Sequence, residues 1–166
     1  MFINIFMRLY IYINMKFTRK NSKSSGNKTR KARGSMSVKK DIVTYMLQML
    51  MTVKLYHWNT LIHSVHIATD ELYGSLNTLI DQFVEVLLGK HTNISEKNKH
   101  DILNIKTLHL NNYKDNGKFK KELEGYKKYL IHMDKYFSKV ENSDLFNIRD
   151  EILAVLNKIS YLLTLK

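Results

Sequence analysis

The chain has 166 residues, 27 Lys/Arg against 15 Asp/Glu, a net charge of +12, and neither cysteine nor proline. The lack of cysteine excludes a disulfide framework and a thiolate metal site, and the lack of proline, with only six glycines, argues against a turn-rich all-β fold. The length suits one domain plus a tail, and 44% hydrophobic residues are enough to bury a core.

Residues 1–15 read MFINIFMRLYIYINM. The run is apolar but contains Arg8, and it is well short of the ~20 residues a membrane helix needs. A secretory signal would begin with its positive charge and end in small residues, so neither secretion nor a membrane partner is expected. The segment reads as unstructured or as an extended start, with Met15 and Met36 as alternative first residues. A peripheral membrane anchor is the other reading.

Residues 16–40 contain ten Lys/Arg and no acid: Lys16, Arg19, Lys20, Lys23, Lys28, Arg30, Lys31, Arg33, Lys39 and Lys40. With Arg8 they put eleven positive charges in residues 1–40, which leaves 16 positive against 15 negative in residues 41–166. Such a segment cannot offset its ordering entropy by burial, so residues 1–40 are expected to be a disordered basic tail. Two readings stay open. One is a solubilising tail or localisation signal around Lys28 to Arg33. The other is a nucleic-acid arm that neutralises phosphates without reading bases.

The helical domain is expected over residues 41–166. Ile42, Met46, Met49, Leu50 and Val53 keep the 3.6 period and lead to His57, predicting a helix over 41–58. Asp41 suits its first turn. Asn59 to about His63 is a break of a length normal for an αα-hairpin. A second helix is predicted to Leu88, with Leu72, Leu76, Leu79, Ile80, Phe83 and Leu87 as its core stripe and Gly89 after its end. Residues 90–117 are polar, and Ile102, Leu103, Ile105 and Leu108 suggest a short crossover helix. Asp115-Asn-Gly117 signals a turn. A third long helix over about 118–138 carries Phe119, Leu123, Tyr126, Leu130, Met133 and Phe137. A fourth, capped within Asn142-Ser-Asp144, carries Leu145, Ile148, Ile152, Val155, Leu156, Ile159, Leu162 and Leu163. Four amphipathic helices with a long middle connection predict an all-α, antiparallel four-helix bundle with one crossover, the ferritin-like arrangement.

The second helix also carries His66, Asp70, Asp81 and Glu85. At ~100° per residue, the eleven residues from Asp70 to Asp81 make three turns plus ~20°, so the four side chains share one band. His, Asp and Glu are ligands of hard and borderline divalent metals; iron suits such a set, and zinc or manganese can substitute. Eleven residues also span about 16 Å along the axis, too far for one ion. Either the helix holds two sites or a second copy lies antiparallel across a two-fold axis, as in an isologous homodimer. His63, His66 and Asp70 form a rival mononuclear set on one helix. No histidine follows a glutamate by three residues, which disfavours the intrachain Glu-x-x-His di-iron centre. Asp150 and Glu151 read as capping or salt-bridge residues. Trp58 and the Met46, Met49 and Met51 run read as packing.

The pattern His57-Trp58, His66, Asp70, Asp81 and Glu85 resembles that of the Dps family, small ferritin-like iron-storage and DNA-protection proteins. The last four spacings match. The nine residues from His57 to His66 fall short of the family's usual twelve or so, and its Gly-containing loop is missing. Residues 41–166 resemble more closely an uncharacterised group of giant-virus and phage proteins that share the shortened loop, a stretch like Asp144-Leu-Phe-Asn-Ile-Arg-Asp-Glu151, and Tyr161-Leu-Leu-Thr164.

The resemblance implies His57 as a fifth ligand and a homo-oligomer from dimer to shell. It implies a ferroxidase activity that oxidises Fe(II), usually with peroxide, DNA binding through the lysine-rich tail, and a place in the host cytoplasm or the virion. The alternative it leaves is a non-catalytic DNA- or virion-associated packaging protein with structural carboxylates.

Overall fold

The structure is a computed structural model that describes the backbone of residues 27–90 and 96–165, and the side chains of 36–90 and 99–165. All regular structure among the described residues is helical. Five α-helices follow one another: α1 (Asn27–Asn59), α2 (His63–Gly89), α3 (Glu96–Leu103), α4 (Asn116–Ile131) and α5 (Ser143–Leu162), with a 3-10 turn at His132–Lys135 after α4. The chain divides at Lys31/Ala32, and the helical domain described below is residues 32–166.

The apolar stripes read from the sequence become the core. Ile42, Met46, Met49 and Val53 of α1, Leu76 and Phe83 of α2, Phe119, Leu123 and Leu130 of α4, and Ile152 and Leu156 of α5 are fully buried. Burial of such side chains contributes roughly 1.5–3 kcal/mol each relative to exposure, which is why the stripes set the helix faces. Contacts between helices give their directions. Tyr45 stacks on Tyr129 at 3.8 Å and Tyr56 on Phe119 at 3.8 Å, so α1 and α4 run antiparallel. Glu71 pairs with Lys158 and Lys90 with Asp144, so α2 and α5 do too. Lys127 meets Ser160 while Arg149 meets the Leu130 carbonyl, so α4 and α5 are antiparallel as well. It follows that α2 and α4 point the same way, so the connection between them must return along the length of the domain. The short helix α3 lies in that return and buries Ile102.

Several boundaries differ from the sequence reading. Helix α1 starts at Asn27, not Asp41, because Lys, Arg and Ala are good helix formers and no proline interrupts the extension. Residues 27–40, grouped with the tail by charge, are therefore helical, and the assignment of residues 1–26 lies outside the described residues. The crossover helix sits earlier than the apolar run implied and ends at Leu103. The third long helix gives way to a 3-10 turn, in which the Tyr136 and Phe137 amides both donate to the Met133 carbonyl. Asp115, read as a turn residue, caps α4 by accepting from the Lys118 amide at 2.8 Å. No helix among the described residues is long and apolar enough to cross a membrane.

Two surface carboxylates tie the chain at the α4–α5 corner. Asp134 accepts from Arg149 Nη1 at 2.8 Å and pairs with Lys139 at 3.1 Å, and these bonds hold its carboxyl below the ordinary value of 3.8. Lys90 at 2.8 Å does the same for Asp144. A folded pKa below the unfolded one gives stability that is present above the unfolded value and is lost as pH falls through the folded one. Combining Asp134→Asn with Asp144→Asn is therefore expected to lower the melting temperature at pH 6 and to flatten its fall between about pH 5 and 2. Thermal denaturation across pH checks both slopes.

Candidate functional site

The last turn of α1 and the first turns of α2 meet at a three-residue corner, Thr60–Ile62. The Thr60 amide donates to the Tyr56 carbonyl at 3.0 Å, the Ile62 amide to Thr60 Oγ1 at 3.3 Å, and the His66 amide to the Ile62 carbonyl at 2.9 Å. This tight corner lets two histidines face each other. His57 closes the apolar stripe of α1 and is only 6% exposed. Its Nδ1 lies 3.0 Å from the His66 carbonyl, and His66 Nδ1 lies 3.0 Å from the His57 carbonyl. The rings stack with centroids 3.9 Å apart at 24°.

A carbonyl oxygen only accepts, so each Nδ1–H donates and Nε2 is the ring nitrogen left to face other groups. This is the arrangement that orients a metal-ligating imidazole, with the ring proton held by a backbone carbonyl and the other nitrogen free. Thr69 braces the corner from below by donating to the Val65 carbonyl at 2.8 Å, with its hydroxyl 3.4 Å from His57 Nδ1.

Asp70, one turn after His66, brings Oδ1 to 3.6 Å from His57 Nε2. The Lys54 ammonium also approaches this oxygen, at 3.4 Å, so His57 and Lys54 share the Asp70 carboxylate. Donors of one metal ion with bonds of ~2.1 Å lie about 3.0–3.4 Å apart, so His57 and Asp70 are the pair at this corner near enough to share an ion, with His66 stacked beside them.

Among the described residues, no three His, Cys, Asp or Glu side chains converge to hold an ion. The mononuclear set of His63, His66 and Asp70 is accordingly not assembled; His63 is exposed. Asp81 and Glu85 lie farther along α2, exposed and without an ion-pair or hydrogen-bond partner among the described residues. Asp81 and Glu85 are thus separated from the histidine corner within one chain.

Trp58, expected to pack, is 66% exposed, with the Lys54 ammonium 5.6 Å from its ring. The corner that turns His57 inward turns its neighbour outward. Leu61, Ile62 and Ile67 are also exposed at this corner. Contiguous exposed apolar surface marks an interaction site more often than a solvated one.

Of the tail residues, Lys16, Arg19, Lys20 and Lys23 lie outside the described residues. Lys28, Arg30, Lys31 and Arg33 fall within α1, but their side chains lie outside them too. Lys40 is half-buried. Lys39 is 7% exposed, most of its side chain covered by the domain. Its place on the inward face of α1 outweighs its charge.

A second polar cluster escaped the sequence reading. Glu122 of α4 is 6% exposed. It accepts from the Tyr113 hydroxyl at 2.6 Å and from Asn111 Nδ2 at 3.4 Å. Burial, and then the neighbouring carboxylate, push the phenols of Tyr45 and Tyr126 well above their usual range, so both stay protonated. The signal was present in the sequence: Glu122 stands at helical spacing from Phe119 and Tyr126, a carboxylate on an apolar stripe. Arg149 repeats the pattern on α5, 6% exposed between Leu145 and Ile152.

The profile of one protein family matches residues 57–163, and that family is described as a family of unknown function, DUF5856. The chain belongs to this family. The matched span begins at His57 and contains the whole histidine corner, Asp81, Glu85 and Glu122. No curated protein and no solved structure matches the chain.

Proposed function

We propose that the chain is a ferritin-like four-helix bundle of the Dps type, which binds Fe(II) at a site shared between two copies. The observation that carries this reading is the reciprocal Nδ1–carbonyl pairing of His57 and His66, with Asp70 3.6 Å from His57 Nε2. It leaves nitrogen and oxygen donors facing one another at a spacing a metal suits. The missing ligands are Asp81 and Glu85 of a second copy, brought in by an antiparallel α2. Exposed Trp58, Leu61, Ile62 and Ile67 give that copy apolar surface to cover. The antiparallel neighbours and the long return before α4 support the ferritin-like path.

Fe(II) is the substrate, with peroxide as the oxidant. The protein's part is to hold the ion and to exclude water by the copy-to-copy contact. Zn(II) and Mn(II) fit the same donors. Sedimentation of the purified chain with one equivalent of Fe(II) or Zn(II) under anaerobic conditions is expected to give a dimer or larger species with about one bound ion per His57/Asp70 set. A monomer at micromolar concentration with metal present rules the shared site out.

One observation favours the second reading, a packaging protein whose carboxylates are structural. Lys54 already reaches Asp70 and needs no metal to balance its charge. In that case the oligomer forms but carries no ion.

We also propose that DNA binding, where it occurs, resides in the basic segment before the domain and ignores sequence. Each phosphate neutralised releases counterions, giving ~0.9 in the slope of log K against log salt, so five contacts give a slope of about four to five. Several tails on one oligomer strengthen binding by multivalency. A chain beginning at Met36 is expected to lose nearly all affinity in a filter-binding or anisotropy assay at fixed salt. Equal affinity instead would leave the segment as a localisation signal.

A further inference from the structure

Lys54 stands near the end of α1, one turn before Trp58 and on the side that faces α2. Its side chain is 23% exposed and that of Asp70 61%. Its ammonium lies 3.4 Å from Asp70 Oδ1, the same oxygen that lies 3.6 Å from His57 Nε2. A well-formed bond between an ammonium and a carboxylate is shorter, about 2.7–2.9 Å. The ammonium also has two aromatic rings within reach, the centroid of Tyr73 at 4.4 Å and that of Trp58 at 5.6 Å. A cation within about 6 Å of a ring centroid is attracted to the ring face. Lys54 is therefore held between a carboxylate and two rings, and it can leave the first without being stranded.

This matters for an ion at the corner. An ion shared by His57 and Asp70 through Oδ1 contends with the ammonium for one oxygen. A double and a single positive charge about 5 Å apart repel enough to weaken binding roughly tenfold even at the dielectric of bulk water. Without an ion, the ammonium leaves the neutral His57 and the Asp70 carboxylate with no net charge.

We propose that Lys54 is a tethered competitor for the metal. Its ammonium stays on Asp70 Oδ1 while the corner is empty and moves onto the Tyr73 ring when a divalent ion binds, keeping its proton throughout. The proposal rests on the reading of this corner as half of a metal site, and it adds a threshold to that site. The tether holds the competing charge at a high local concentration. The ion must displace it, so the site fills only above a set metal concentration and empties when that concentration falls.

The test titrates Zn(II), which undergoes no redox change, into the full-length chain against a chromophoric chelator. Lys54→Met and Lys54→Gln are each expected to bind Zn(II) about tenfold more tightly than the wild type, and Lys54→Arg no more tightly than the wild type. A lysine that served only the fold would act in the opposite direction, because a damaged corner binds more weakly. Tyr73→Leu removes the second resting place. It is expected to weaken Zn(II) binding about threefold in the wild type and to leave that of Lys54→Met unchanged. Circular dichroism on each sample reads the helical content. The proposal is overturned, and the shared site left standing, if the wild type binds Zn(II) and both neutral variants bind it equally or more weakly. It is overturned likewise if Lys54→Arg gains as much as Lys54→Met, or if Tyr73→Leu weakens both backgrounds alike. Both fall together if neither the wild type nor the neutral variants take up Zn(II).

Discussion

Replacing Asp81 with Asn and Glu85 with Gln together is expected to abolish tight Fe(II) or Zn(II) binding and leave the helical content unchanged. Both side chains are exposed on α2 and take no part in its buried stripe of Leu72, Leu76, Ile80, Phe83 and Leu87. Neither forms an ion pair among the described residues, so neutralising them costs the isolated chain little. In the shared-site reading they supply the carboxylates that the His57, His66 and Asp70 corner lacks. Removing them leaves His57 and Asp70 as the facing donors of the half-site, too few for a four-coordinate structural ion. Metal stoichiometry by mass spectrometry, with circular dichroism on the same sample, reads both outcomes. Stoichiometry that does not change in the double variant would show that the stripe is structural. His57→Ala is a less clean probe, because His57 is buried and its loss disturbs the corner as well as the site.

Truncating Glu122 to Ala is expected to have the largest effect on stability of any single polar change in the domain, a loss of about 3 kcal/mol. The void left by a buried side chain and the loss of the partner of Tyr113 and Asn111 each contribute about 1–3 kcal/mol. The cluster already contains one buried hydroxyl without a partner, that of Tyr45, so little slack remains to rescue a second. For a domain of this size the loss corresponds to a fall of roughly 8–12 °C in melting temperature. Glu122→Gln keeps the shape and an acceptor for Tyr113, and about 1 kcal/mol is expected. Thermal and urea denaturation of the two variants check the order. Equal losses would show that charge, not packing and hydrogen bonding, is what Glu122 contributes.

The four long helices were legible in the sequence because each rests on a local quantity, the 3.6-residue recurrence of apolar side chains. Most of the stripe residues are buried, from Ile42 to Val53, Leu72 to Leu87, Phe119 to Met133 and Leu145 to Leu163, while Leu79, Phe137, Val155 and Leu162 are partly buried at its margin. The ends were less legible. The start of α1 at Asn27 and the shortening of α4 into a 3-10 turn depend on helix propagation and end geometry, which a stripe does not encode. The band of His66, Asp70, Asp81 and Glu85 on one face also followed from local spacing, and so did its ~16 Å length.

Only the tertiary structure decided what that face meets. The exchange of Nδ1 bonds between His57 and His66 needs α1 and α2 closed at one particular distance, which is set by the corner at Thr60–Ile62. The same closure turned Trp58 out to solvent. Lys39 reads as one more charge in a basic run until the packing of α1 leaves it only 7% exposed. Glu122 reads as one more acid until Tyr113 and Asn111 arrive from the return before α4. In each case the deciding partner comes from another element of the chain. A side chain's periodicity assigns it to a face, but the free energy of its charge depends on the groups that tertiary packing brings to it.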